Sequence, residues 1–240
     1  MAEQLREARR VTVLTGAGVS AESGVPTFRD ALTGLWAQYR AEDLATPEAF
    51  ARNPALVWDW YRMRRELVAR VEPNAGHRAL VVMEIEVPEF VLITQNVDGL
   101  HQRAGSTRPI ELHGNITRAR CSREQLALER WDEADSPPRC QSCGALLRPD
   151  VVWFGEILPP EALRAAEIAA RNCDVFLSIG TSNLVEPAAS LPWRASAAGA
   201  AVAVINVSME GQRRGPGIQH LVGPAGQVLP ALVRSAWTRA

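Results

Sequence analysis

Val11-Thr12-Val13-Leu14-Thr15-Gly16-Ala17-Gly18-Val19-Ser20-Ala21-Glu22-Ser23-Gly24-Val25-Pro26-Thr27-Phe28-Arg29 is the stretch whose reading decides the fold. Its first five residues form an apolar, β-branched run of the kind buried in a parallel sheet. Gly16, Gly18 and Ala21 then stand at the spacing of a dinucleotide-binding turn. The first glycine permits a tight turn, the second lets backbone approach a pyrophosphate, and the small third residue lets helix pack on strand. Glycine-rich turns after strands are common, so this alone is a weak signal. An ordinary dinucleotide turn would continue as an amphipathic helix. Here Ser23-Gly24-Val25-Pro26 breaks the helix early and delivers Phe28 and Arg29, which reads as a loop folded over a cofactor.

Further along the chain, three segments repeat the character of that opening strand: Phe90–Thr94, Val175–Ile179 and Ala201–Ile205. Each ends in small or polar residues, namely Gln95-Asn96-Val97-Asp98, Gly180-Thr181-Ser182 and Asn206-Val207-Ser208. Helical patterns lie between them, as at Pro160–Arg171 and Gly76–Glu84. This alternation predicts an α/β fold with a doubly wound, parallel, Rossmann-like sheet. Ligands bind such sheets beyond the carboxyl ends of the strands, where these polar tails converge. The sheet is expected to draw on approximately 1–30, 76–115 and 149–240 of one catalytic domain spanning 1–240. Two stretches break the rhythm: a helical one at approximately 31–75, rich in Trp, Tyr and Arg, and a loop-like one at approximately 116–148 holding three of the four cysteines. They read as insertions forming a smaller domain, helical plus zinc-ribbon-like.

With 240 residues, 47% hydrophobic and 22% charged, the chain has the makings of an ordinary globular enzyme. A net charge of -1 makes no electrostatic case for nucleic acid or an anionic membrane. The N-terminus, Met1–Glu7, is charged and lacks a signal-peptide core, and no apolar run reaches the roughly 18–20 residues of a membrane span. A cytoplasmic monomer is expected. All 26 basic residues are arginine, which excludes a lysine Schiff base and a phosphate-loop lysine. A GC-rich genome and the avoidance of acylatable lysines both account for this.

Cys140-Gln141-Ser142-Cys143-Gly144 is half of a zinc-ribbon pattern, with Cys121 upstream at ribbon distance. Glu124 occupies the position a second upstream cysteine would take. Cys121, Cys140 and Cys143 with a carboxylate or water can hold zinc, whereas structural zinc sites are usually closed by four good ligands; a metal-free remnant is the other reading. Cys173 reads as a small buried hydrophobe. Among the histidines, His113 in Glu111-Leu112-His113-Gly114-Asn115 stands out, at a strand end beside the Gln95–Asp98 tail, where it suits a base near neutral pH. No nucleophile elbow is present.

Taken in order, the opening glycine run through Phe28-Arg29, Thr94–Asp98, His113-Gly114, the split cysteines, Phe154-Gly155-Glu156 and Gly180-Thr181-Ser182 resemble the sirtuin family over nearly the whole chain. Any one motif alone would be unspecific. The resemblance implies an enzyme that consumes NAD to remove acyl groups from protein lysines, leaving nicotinamide and acyl-ADP-ribose through an alkylimidate. It implies His113 as general base on the ribose hydroxyls. Asn96 and Asp98 would hold the ribose and the nicotinamide amide, with Gln95 on a ribose hydroxyl and Val97 beside them. Gly16, Ala17, Gly18, Ser20, Ala21 and Trp36 would also touch NAD, Phe28 would shield the reacting ribose carbon and Arg29 would help close the loop. Gly180, Thr181, Ser182, Asn206, Val207 and Ser208 would line the ADP-ribose, with Ala225 by the adenine. The acyl-lysine peptide would lie as an added strand against Val152, Phe154, Gly155 and Glu156 on one side and Val185 on the other. Glu186 stands where the family often has an aromatic residue.

Tyr61 and Arg64 are i,i+3 neighbours on a helical stretch. Considered alone they belong to an amphipathic surface helix. Within the sirtuin resemblance they match the pair that marks class III members, which remove succinyl, malonyl and glutaryl groups, and Ala41 adds a small residue where a wide acyl pocket needs space. The resemblance thus implies desuccinylase and demalonylase activity with deacetylase activity alongside. A plain deacetylase, a mono-ADP-ribosyltransferase and a non-catalytic NAD sensor are the alternatives.

Overall fold

The computed structural model describes residues 1–27, 39–132, 135–208, 210 and 215–237, without the side chains of Ala41 and Glu42. It begins with α1 (Ala2–Glu7), β1 (Arg10–Thr15) and the short α2 (Ala17–Ala21). Next come α3 (Ala41–Leu44), α4 (Pro47–Arg52), α5 (Pro54–Arg70) and α6 (Ala75–Glu86). β2 (Glu89–Thr94), α7 (Leu100–Ala104) and β3 (Ile110–Glu111) lead to β4 (Gly114–Cys121), β5 (Ala127–Leu128) and β6 (Leu147–Val151). The remainder alternates through α8 (Pro160–Asn172), β7 (Val175–Ile179), α9 (Leu191–Ala197), β8 (Ala201–Asn206), β9 (Ile218–Val222) and α10 (Ala225–Trp237).

Six strands form one sheet in the order β3-β2-β1-β7-β8-β9, and every pairing in it is parallel. Strands paired in parallel need crossovers, which place helices on both faces and bury the strands. β1 and β7 accordingly show apolar runs without a wet side. On β7, Val175, Leu177 and Ile179 join the core shared with α1, α6 and α10, while Phe176 joins the core shared with α8 and α9. The period of two sorts one strand between two cores. The chain proceeds outward from β1 through β2 to β3, then returns to the other side of β1 and runs outward from β7 to β9. The strand order therefore reverses between β1 and β7, the switch point at which sheets of this kind bind ligands in a crevice beyond the strands' carboxyl ends.

α3, α4, α5 and a second sheet, β5-β4-β6, stand outside this alternation. The helices have explicit start signals: Thr46 Oγ1 caps the Ala49 amide at 3.1 Å and Asn53 Oδ1 caps the Leu56 amide at 3.1 Å, each followed by proline at the first helical position. The stretch expected to be loop-like contains antiparallel strands instead. β4 pairs with β5 and β6, with a register shift between Gly114 and Ala119. All five residues of β6 are buried although Arg148 and Asp150 are charged. Arg148 pairs with Glu156, and Asp150 accepts from Arg118 at 2.8 Å and Arg120 at 2.6 Å. Paired charge hides a strand from any reading that looks for apolar periodicity.

Candidate active site

The glycine run folds as its residues dictate, with one refinement. Gly16 caps α2 in an extended conformation, and its amide donates to Ile179 O at 3.0 Å. Gly18 N donates to Gly180 O at 2.7 Å. A Cβ on Gly18 would lie 2.8 Å from Gly180 Cα, and one on Gly180, at φ +60°, would lie 2.5 Å from Val19 N. The close approach made by Gly18 is thus first of all backbone against backbone, locking the tip of β1 to the tip of β7. α2 ends at Ala21, and Gly24 at φ +88° turns the chain away, as the early break in the sequence requires. Phe28, Arg29 and Trp36 lie outside the described residues, as does the side chain of Ala41.

The polar tails do converge. Gln95 Nε2 donates to Thr181 Oγ1 at 3.0 Å, and Asn206 Nδ2 donates to Thr181 O at 3.1 Å, so the tips of β2, β7 and β8 are joined. Asn206 Oδ1 in turn accepts from Val207 N at 2.9 Å, next to Ser208. Asn96 donates from Nδ2 to Gly16 O at 3.0 Å and to Ser20 Oγ at 3.1 Å, which leaves its carbonyl oxygen as the acceptor end. Asp98 is buried and accepts from Leu100 N at 2.9 Å, and burial raises its pKa against the hydrogen bonds from Leu100 and Ser20. Val97 O accepts from Ile116 N at 2.7 Å, tying this tail to β4. Ser182 follows Thr181 in the same turn. Ala225 begins α10, where Glu22 accepts from the Gly226 amide at 2.8 Å, so the end of α2 meets the start of α10.

His113 sits between β3 and β4, half-buried. Its Nδ1 lies 2.9 Å from Gln95 O. A carbonyl only accepts, so Nδ1 carries the proton and Nε2 presents a lone pair. Burial lowers its pKa, opposed by that hydrogen bond, so the ring is neutral at pH 7. Gly114 follows at φ +77°, and a Cβ there would lie 2.2 Å from Asp150 O, so only glycine passes. The arrangement is a neutral imidazole with a basic nitrogen at the rim of a crevice rich in backbone amides and carboxamides, suited to taking a proton from a bound hydroxyl.

Sequence reasoning missed the layer beneath. Asn74 caps α6, and its Nδ2 also donates to Val19 O at 2.7 Å and Ser23 Oγ at 3.0 Å, holding the glycine loop. His77 closes the capping box by accepting from Asn74 N at 3.3 Å, which leaves Nε2–H to face Ser20 Oγ at 3.4 Å. Its ring lies 4.9 Å from that of His101, whose Nε2 meets Thr15 Oγ1 at 2.9 Å. Burial lowers His77 to about 4 and His101 to about 3. The Asn-x-x-His spacing before an apolar run was the available signal.

Tyr61 is not on a surface face: it is 2% exposed, in a core shared with Ile116, Val151 and Trp153. Its phenol oxygen lies 3.0 Å from Trp153 Nε1, and burial raises its pKa to about 12. Arg64 is half-buried, 5.1 Å over the Trp60 ring. This corner adjoins the base, because Val152 N donates to His113 O at 2.9 Å. Phe154 and Val185 are exposed, Gly155 turns at φ +85°, and Glu156 accepts from Trp153 N at 2.8 Å while pairing with Arg148.

The cysteines gather as well. The sulfurs of Cys121, Cys140 and Cys143 and a carboxylate oxygen of Glu124 all lie within 4.8 Å of one another. Cys121 and Cys143 sulfurs are 3.5 Å apart, and Cys140 Sγ is 4.0 Å from Glu124 Oε2. Ligands about 2.3 Å from a tetrahedral zinc stand roughly 3.7 Å from one another, so three thiols and this carboxylate have the dimensions of a zinc site. Cys173 is apart from them, buried, and donates to Ala170 O at 3.3 Å.

Comparison with known proteins agrees with this geometry. The Sir2 family profile matches residues 16–187. The chain is 50% identical to NAD-dependent protein deacylase 1 of Pseudomonas aeruginosa, over 98% of this chain and 97% of that protein. It is 51% identical to NAD-dependent protein deacylase of Methylococcus capsulatus, over 96% and 94%. Among solved structures, a Sir2 homolog–NAD complex superposes with a TM-score of 0.89 at 43% identity, covering 98% of this chain and 92% of that one. A Sir2 protein bound to acetylated peptide gives 0.83 at 29% identity, covering 96% and 94%.

Proposed function

The chain belongs to the Sir2 family, and on that premise we propose that it removes acidic acyl groups, succinyl and malonyl, together with acetyl, from protein lysines as a class III enzyme. It is an NAD-dependent protein-lysine deacylase. In this reading NAD is consumed, nicotinamide is released, and the acyl group leaves on ADP-ribose.

The chain's own residues divide the work. The turns Gly16–Ala21 and Gly180–Ser182 receive the pyrophosphate at the tips of β1 and β7; the Gly16 and Gly18 amides themselves are spent on Ile179 O and Gly180 O and hold the two turns together. Asn96 offers a carboxamide oxygen, and Asp98 a carboxylate, to the nicotinamide amide and ribose. Gln95, joined to Thr181, orients a ribose hydroxyl. His113 takes the hydroxyl proton at Nε2, the nitrogen that Gln95 O leaves unprotonated. Asn206, Val207, Ser208 and Ala225 face the adenosine end; the sirtuin resemblance assigns Phe28 to shielding the ribose carbon, Arg29 to the loop's closure and Trp36 to NAD contact, and these three lie outside the described residues. The peptide pairs with Val152–Glu156 and with the turn bearing Val185. Cys121, Cys140, Cys143 and Glu124 would hold a zinc ion, whose chemistry there is structural, neutralising thiolates that join the end of β4 to the turn before β6. The reading takes the protein as a cytoplasmic monomer acting on acyl-lysine proteins, without nucleic acid or membrane partners; no helix among the described residues is long and apolar enough to cross a membrane.

The observation that carries the acyl preference is the burial of Tyr61 at Trp153, one residue from the backbone pair that joins Val152 to His113. A phenol and a guanidinium sharing that position make a carboxylate receptor, and a guanidinium is a bidentate partner for one. Arg64→Met tests it: succinyl-lysine turnover falls about 10- to 100-fold while acetyl-lysine turnover stays within about threefold. Unchanged succinyl turnover would reject the acidic-acyl reading. Deacetylation is the second reading, favoured by the likeness to a Sir2 protein bound to acetylated peptide.

A further inference from the structure

Trp153 Nε1 and the Tyr61 oxygen form a buried side-chain pair linking residues 92 positions apart, 3.0 Å from atom to atom. An indole N–H can donate but never accept, so the phenol oxygen is the acceptor in this bond. Arg64, the phenol's neighbour one turn along α5, is likewise a donor-only group. The phenol's own O–H must therefore find an acceptor, and a carboxylate supplies one. Burial raises the Tyr61 pKa to about 12, so the proton stays on at neutral pH.

The indole itself is immobilised. The Arg148 guanidinium lies 3.5 Å over its ring, and Phe50 packs 5.4 Å away. Arg148 is fixed in turn by two bonds to the Glu156 carboxylate, one of 2.8 Å, and by Val151 O at 2.9 Å. Glu156 also accepts from the Trp153 amide. Tyr61 is held edge-on by Trp60, ring centroids 4.6 Å apart. Neither ring can turn to another partner without leaving a buried polar atom unpaired.

We propose that Trp153 is a positioning residue for acyl selectivity, orienting the Tyr61 O–H as the hydrogen-bond donor to a dicarboxylic acyl group. This rests on the acidic-acyl reading above. The Trp153 indole touches no reacting atom and acts through Tyr61, while its backbone lies in the strand proposed to pair with the peptide and is unchanged by side-chain substitution.

A double-mutant cycle tests it, with kcat and KM measured on succinyl-lysine and acetyl-lysine peptides at saturating NAD for the full chain, Trp153→Phe, Tyr61→Phe and the double variant. Trp153→Phe keeps a ring over Arg148 and removes the N–H. A second version replaces the indole by its benzothienyl isostere, which changes only N–H to sulfur and guards against a folding defect. The expected result is a loss of about 10-fold in kcat/KM for the succinyl peptide, chiefly through KM, with the acetyl peptide within about twofold. In the Tyr61→Phe background the Trp153 change has no further effect on the succinyl peptide. Equal losses on both peptides, or an undiminished further loss in that background, overturn the proposal while leaving the acidic-acyl reading standing. A parent protein that does not turn over the succinyl peptide overturns that reading, and this proposal with it.

Discussion

Two buried polar clusters lie a few residues apart and solve burial in opposite ways. At the carboxyl ends of β1 and β2, Thr15, Ser20, His77, Thr94, Asn96 and His101 are nearly or wholly inaccessible and are joined by hydrogen bonds without an ion pair among them. In and beside the antiparallel sheet, ion pairs form two groups, Glu111–Arg118–Asp150–Arg120 and Arg148–Glu156. The first cluster lies beneath the glycine turn and holds two imidazoles, His77 and His101, that burial keeps neutral. The second surrounds β6 and Trp153, the corner to which the proposed function assigns a charged acyl group. Burial removes protons from imidazoles in the one and is tolerated by paired charges in the other.

The largest effect expected is at the crevice rim. His113→Ala lowers kcat by about 10²–10⁴-fold while NAD affinity by calorimetry changes little. A loss under threefold would remove the base from the mechanism.

Next comes acid sensitivity of the neutral cluster. His77 and His101 have folded pKa values of about 4 and 3, below the unfolded value, so the unfolded chain binds the proton first. Their contribution is intact above about pH 6.5 and is lost as pH falls toward 4, amounting to about 2 kcal/mol for each histidine at pH 5. Urea denaturation at pH 7.5 and 5 measures it, and His101→Asn should flatten the dependence. The same lowering at His113 places the acid limb of kcat/KM below pH 6.5. An acid limb above pH 7 would contradict it.

The charged cluster breaks differently. Asp150→Ala leaves two guanidinium groups facing each other without their shared carboxylate, costing about 2–3 kcal/mol in urea denaturation after discounting for the partial exposure of Arg118 and Arg120. This loss persists at pH 7.5, where the histidine effect is absent. A cost under about 0.5 kcal/mol would mark the lattice as surface decoration. Asn74→Ala, the smallest of these, removes a helix cap and two bonds to the glycine loop for about 1–2 kcal/mol, with KM for NAD raised.

The parallel sheet was legible because burial on both faces leaves continuous apolar runs, and Gly16, Gly18 and Gly180 because nothing larger fits where two strand tips meet. His113 stood out through its place beside the Gln95–Asp98 tail. β6 was not legible: Leu147-Arg148-Pro149-Asp150-Val151 has charge at two of five positions and a proline, and its burial depends on partners elsewhere in the chain. Trp153 escaped notice for the same reason, since its N–H bond crosses 92 positions. Helical spacing put Tyr61 and Arg64 on one face but could not say that Tyr61 points into the core.

The central claim is tested most directly by incubating the purified protein with NAD and a panel of succinyl-, malonyl- and acetyl-lysine peptides and measuring nicotinamide release. The account predicts release with all three and higher kcat/KM for the two acidic groups. Release with the acetyl peptide alone would contradict the carboxylate receptor at Tyr61 and Arg64, and release with none would contradict the deacylase.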